Sequence, residues 1–156
     1  MEKPTTEFTD LLTKDALQTT MLQLDAAVND IIAVGKERET VYGNRAELMK
    51  LARQLQTEIE LVESEAIMNI KGSGKDATAT LPDGRTVYLT NDTARDAYRK
   101  NASAYQRKQL ATTEAELEKI GADLFRLGDK YNESAAVSHS LQAKARLQAA
   151  MLEYLS

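Results

Sequence analysis

The sequence predicts a mainly α protein, a long antiparallel helical hairpin of coiled-coil type with a central two-stranded β-hairpin at one end. Three observations predict it. The chain is rich in Ala, Leu, Glu, Lys, Gln and Arg and holds only two prolines, Pro4 and Pro82, a composition that favours long helices. Apolar residues recur at helical spacing over two arms of similar length, residues 6–70 and 92–155. Between the arms, residues 77–90, ATATLPDGRTVYLT, alternate with the period of two that a half-buried strand requires. At 156 residues, with 42% hydrophobic and 28% charged side chains, the length and composition are those of one folded domain covering 1–156.

The first arm opens at Pro4, with Thr5 or Thr6 as the expected helix cap. From there Phe8, Leu11, Leu12, Leu17, Met21, Leu24, Val28, Ile31 and Ile32 trace an amphipathic helix. Gly35 and then Tyr42-Gly43-Asn44 mark the place for a bend, or for a break into two helices near 35–44, because each interior glycine costs about 1 kcal/mol relative to alanine. Val41, Arg45, Leu48, Ala52, Leu55, Ile59, Val62, Ala66 and Asn69 then follow the alternating three and four steps of a heptad seam. Leu51, Leu61, Ile67 and Met68 fall outside that seam, which implies contact with more than one neighbour.

Lys71-Gly72-Ser73-Gly74-Lys75 stops the helix. Its GSGK string is not a phosphate loop: the motif's first glycine would fall on Asn69, Asp76 follows Lys75, and the order runs from helix to strand. In the hairpin, Leu81-Pro82-Asp83-Gly84 suits a type I turn with Gly84 in the left-handed conformation of a following bulge. Isolated hairpins are marginal in water, so this one must lay its Val87/Leu89 face on the helices or pair its edges with strands of another subunit.

Asn91 or Asp92 caps the second arm, with Asp92 and Asp96 placed near the positive end of its dipole. Its seam runs Leu117, Ile120, Leu124, Leu127, Tyr131, Ser134, Ser138, Leu141, Ala145, Gln148, Leu152 and Leu155, with a polar, weaker middle. Folding the arms back about the hairpin pairs residues whose numbers sum to about 163. That register sets Gly35 near Gly128 and Gly43 near Gly121, as close-approach points or a shared hinge.

The formal charge is −4, which argues against a dedicated nucleic-acid binder. The distribution is uneven. Residues 71–108 carry Lys71, Lys75, Arg85, Arg95, Arg99, Lys100, Arg107 and Lys108 against four acidic residues, so this stretch is net positive and the remainder acidic. These eight residues, with Tyr98 and Tyr105 interleaved, are the candidate contacts for a protein partner or for nucleic acid. The competing reading makes them a solvated helix face, with the two tyrosines in the seam.

No catalytic, cofactor or metal site is expected. His139 is the only histidine and lies between serines without a second ligand at metal spacing. Glu58, Glu60, Glu63 and Glu65 form an acidic face with no accompanying Glu-x-x-His helix. The absence of cysteine fits a reducing compartment, and no apolar run long enough for a signal or a membrane span occurs, so the expected location is cytoplasmic.

Residues 81–100, LPDGRTVYLTNDTARDAYRK, resemble small phage or prophage proteins of the early or recombination region, in which a hairpin is followed by an Asn-Asp-x-x-Arg helix start. Here those residues are Asn91, Asp92 and Arg95. The resemblance implies a viral protein acting in the host cytoplasm, with no established activity and no functional residue to carry over. In topology the chain is also similar to prefoldin subunits, whose paired helical arms flank β-hairpins that assemble together. The expected function is non-enzymatic: a coiled-coil protein that forms a homo-oligomer and binds and modulates a protein partner. The alternatives are a DNA-associated accessory factor, of recombination or nuclease-modulating type, using the basic hairpin end, and a prefoldin-like chaperone.

Overall fold

The structure, a computed structural model, describes residues 10–156. It is mainly α, with two long helices packed against each other and a small two-stranded antiparallel hairpin between them in the chain. The expected cap at Thr5 or Thr6, and Phe8, lie outside the described residues.

Helix α1 spans Lys14–Met68. Thr13 starts it, its Oγ1 accepting the Ala16 N–H at 3.1 Å and its carbonyl accepting the first helical bond from Leu17 at 2.9 Å. The helix runs uninterrupted through Gly35 and Gly43, where the sequence suggested a bend or break. Its buried and half-buried side chains explain why. Leu17, Thr20, Leu24, Ala27, Ile31, Val34, Arg38 and Val41 follow three and four steps, and after a single step of seven over the exposed Arg45 the same phase continues in Leu48, Ala52, Leu55, Ile59, Val62 and Ala66. Tertiary packing of one face outweighs the intrinsic cost of two glycines on the other.

Strands β1 (Thr78–Thr80) and β2 (Thr86–Tyr88) pair antiparallel, Ala79 opposite Val87. The turn closes with Gly84 N–H donating to Leu81 O at 2.9 Å, and Gly84 takes φ 87°, the left-handed conformation the turn requires. Before β1, Lys71 exchanges two backbone hydrogen bonds with Thr78, each 2.8 Å, so the helix exit adds a short third rung. Gly72 makes that exit possible: its φ is 82°, and a Cβ there would come within 2.9 Å of the Asp76 carbonyl oxygen.

The second arm is two helices rather than one. Helix α2 spans Asp92–Ala102 and helix α3 spans Ala104–Leu155. Asn91 caps α2, its Oδ1 accepting the Ala94 N–H at 2.8 Å. Ser103, fully buried, separates the helices, and its carbonyl accepts the first bond of α3 from Arg107 at 2.9 Å.

The chain divides into two compact units, Met1–Tyr42 with Gly121–Ser156, and Gly43–Ile120. In the first unit, Thr20, Ala27 and Val34 of α1 and Leu127, Ser138, Gln148 and Met151 of α3 are buried. Glu37 meets Arg126 on the expected fold-back register, and Gln148 Nε2 donates to Leu11 O at 2.9 Å, so the helices run antiparallel. The buried hydroxyl of Thr20 is satisfied within its own helix, donating to Ala16 O at 3.1 Å. Met21, Val28 and Ile32, read from the sequence as part of the apolar stripe, stay exposed one step outside this seam.

In the second unit, Leu55, Ile59 and Ala66 of α1 are buried, as are Ser103 and Thr113 on the returning arm. The hairpin forms its own small core there from Ala77, Ala79 and Leu89, covered by Ile70, Val87, Ala94 and Tyr98. Its apolar face is therefore laid on the chain's own helices. Gly35, Gly43, Gly121 and Gly128 are not close-approach points, because a Cβ at any of them would meet nothing within 4 Å. Among the described residues, no helix is long and apolar enough to cross a membrane.

Candidate functional site

The basic residues singled out by sequence all belong to the second unit, but half of them are committed to holding it together. Asp83 anchors Arg85 twice, accepting from its backbone N–H at 3.0 Å and from its Nε at 2.6 Å. Arg95 pairs with Asp92 at 2.7 Å, and its Nη1 donates to Leu89 O at 3.1 Å and to Gly74 O at 3.3 Å. It thus ties three segments, the helix exit, the end of the hairpin and the start of α2. Arg99 pairs with Asp96 at 3.3 Å and lies 3.7 Å from Glu63 through Nε, too long for a hydrogen bond.

Glu63 is the centre of the firmest cluster. Its Oε1 accepts from Ser103 Oγ at 2.8 Å, from Arg107 Nε at 3.0 Å and from Arg107 Nη2. Ser103 Oγ in turn accepts from Arg107 Nε at 3.0 Å. The carboxylate side chain is 14% exposed, so these charge-assisted bonds act in a partly dry setting. The Arg107 hydrogen bond, opposed by burial and aided by Ser103, holds the Glu63 carboxyl below its ordinary value. Sequence reading placed Glu63 in a solvated acidic face and missed this role. The signal was the fold-back register, which sets Glu63 opposite Arg99 and Lys100 and close to Ser103.

The two tyrosines separate. Tyr98 packs on the hairpin core and is half-buried, whereas Tyr105 is 70% exposed. Lys71, Lys75, Lys100 and Lys108 are exposed and have no ion-pair partner among the described residues. The free positive charge of this region is therefore four lysines, not eight cations. His139 is exposed on α3, and among the described residues no group of three His, Asp or Glu side chains gathers as a metal site.

A cavity of about 430 Å³ opens in the same unit. The last turns of α1 line it with Val62, Glu65, Ala66 and Asn69. The hairpin contributes Thr80, Leu81 and Pro82, and the end of α2 adds Tyr98, Asn101 and Ala102. Neither the sequence periodicity nor the charge count pointed to it. It forms where the hairpin turn meets the ends of α1 and α2.

The outer faces of the helices carry large apolar side chains that no described residue covers. Leu22, Phe125 and Tyr154 in the first unit are 69%, 75% and 69% exposed, and Leu61, Ile67 and Met68 follow in the second. No protein-family model matches the chain, and neither a curated protein nor a solved structure matches it.

Proposed function

We propose that this chain is a non-enzymatic coiled-coil interaction protein that self-associates and binds a protein partner. One observation carries the reading: the seam between the helices is completed by small and polar residues, while large apolar residues such as Met21, Leu22, Phe125 and Tyr154 remain on the outer faces. Large apolar side chains left uncovered on helix faces are surface that a partner or a second copy can bury. The open edge of the hairpin supports it, since Thr86 and Tyr88 are exposed and lie at the free side of a two-stranded sheet. The resemblance of residues 81–100 to small phage proteins suggests a viral setting for such a function, as part of the same proposal.

Light scattering at micromolar concentration tests it. The wild-type chain is expected to exceed monomer mass, and Leu22→Glu with Phe125→Glu to shift it toward monomer, since both side chains are exposed and their replacement opens no cavity. A monomeric wild-type chain overturns self-association.

A nucleic-acid role rests on Lys71, Lys75, Lys100 and Lys108, the cations without an internal partner. A salt-sensitive gel shift lost when these four are changed to Gln would favour it. Neutralising Arg95, Arg99 and Arg107 instead would confuse binding with folding, because Arg95 and Arg107 tie separate segments of the unit together.

A further inference from the structure

We infer that the cavity between the end of α1, the hairpin turn and the end of α2 takes a lysine or arginine side chain presented by an extended peptide. The inference rests on reading the chain as a binder of a protein partner, and it names the feature of that partner which this unit recognises.

The charge argument comes from the helix ends. The C-terminal turn of a helix carries partial negative charge and is normally complemented by a basic residue. The last turn of α1 has none, and Glu65 occupies it instead. Glu65 lines the cavity, is exposed, and has no ion-pair partner among the described residues. The Asn69 N–H is shared between Glu65 O at 3.1 Å and Ala66 O at 3.2 Å. The C-terminal end of α2 meets the same space through Asn101 and Ala102. Its own basic residues do not fill it: Arg99 pairs with Asp96 and lies 3.7 Å from Glu63, and neither Arg99 nor Lys100 lines the cavity. A site with the C-terminal end of α1, which has no basic residue of its own, one unpaired carboxylate and two side-chain amides favours a cation.

The shape argument restricts which cation. Val62, Leu81 and Pro82 give the cavity an apolar wall, suited to the methylene stem of a long basic side chain rather than to a hydrated ion. The hairpin adds a backbone site. Leu89 donates to Ala77 O and Leu81 donates to Arg85 O, so odd-numbered residues of β1 face β2 and even-numbered ones face away. Thr78 spends both outward groups on Lys71, but the outward N–H and C=O of Thr80 have no partner among the described residues. Thr80 lines the cavity, so a short extended segment can pair with it while its basic side chain enters.

The test titrates the full chain by calorimetry with the acetylated, amidated peptide Thr-Val-Lys-Val-Thr, its norleucine analogue and spermidine. Saturable binding of the lysine peptide with Kd below about 1 mM at low salt is expected. At least tenfold weakening is expected for the norleucine peptide, for Glu65→Gln and for Asn101→Leu. Glu65 and Asn101 are exposed, and circular dichroism should show both variants folded. Equal affinity for the norleucine peptide, undiminished affinity in Glu65→Gln, or no saturation overturns the inference. Spermidine binding as tightly as the peptide also overturns it, in favour of a free polyamine. Light scattering on the same samples separates the two proposals: a monomer that binds the peptide fails only self-association, and an oligomer indifferent to it fails only the cavity.

Discussion

The two compact units use one heptad pattern in different ways. In Gly43–Ile120 the pattern is secured by directional polar bonds: Glu63 to Ser103 and Arg107, Arg95 to two backbone carbonyls, Lys71 to Thr78, and Asn91 at a helix start. In the other unit it is secured mainly by shape. Leu127 is wholly buried, the same unit also buries Thr20, Ala27, Val34, Ser138 and Met151, and a cavity of about 210 Å³ lies beside Ala27 and Ser134. Polar clamps fix register because a slipped pair leaves a buried charge unpaired, whereas a seam of small side chains tolerates slippage and leaves larger apolar groups outside. Register is specified by polar bonds in the hairpin unit and by packing in the other, while both leave large apolar side chains exposed.

The largest break in that comparison should come from the shape-held unit. Leu127→Ala removes its only wholly buried large side chain among the described residues and should cost about 2–5 kcal/mol, read as a lowered midpoint in urea denaturation. A loss under about 1 kcal/mol would mean that the seam collapses around the gap.

Next is the polar clamp. Glu63→Gln keeps the size but removes the charge that Arg107 and Ser103 satisfy, and should cost about 1–3 kcal/mol at neutral pH. Because folding lowers the Glu63 pKa, the carboxylate contributes stability above its unfolded value, and the contribution is lost as pH falls through the folded value. The stability gap between wild type and Glu63→Gln should therefore be widest near neutrality and close on acidification. A gap independent of pH would assign the effect to packing rather than to charge.

Both arms, the hairpin, its turn with a left-handed Gly84 and the Asn91 cap were legible in the sequence because each follows from local chemistry: period, proline, glycine, side-chain oxygen. Most of the seam of the second arm was legible too, including its polar Ser134 and Ser138, but Tyr131, Leu152 and Leu155 are exposed and Met151, outside the expected seam, is buried. What was not legible depends on which apolar residue a partner helix selects. Met21, Val28 and Ile32 are as hydrophobic as seam residues, yet Thr20, Ala27 and Val34 are chosen, since helices packed at alternating three and four steps need one phase throughout. The break at Ser103 was hidden for a related reason. Nothing local stops a helix there, and the break is held by Glu63, forty residues away in the chain. The cavity was unreadable because it is made by three segments meeting, not by a motif.

The smallest expected effect separates packing from propensity. Gly35, Gly43, Gly121 and Gly128 all sit inside long helices with no atom near an added Cβ. Each Gly→Ala change should stabilise by about 0.5–1 kcal/mol through helix propensity alone, measured singly by thermal or urea unfolding. If Gly35→Ala or Gly128→Ala instead weakens self-association in light scattering while raising monomer stability, the glycine keeps a face clear for a second chain. Its cost to the isolated helix would then be offset across the interface, and the shape-held unit would be the one that associates.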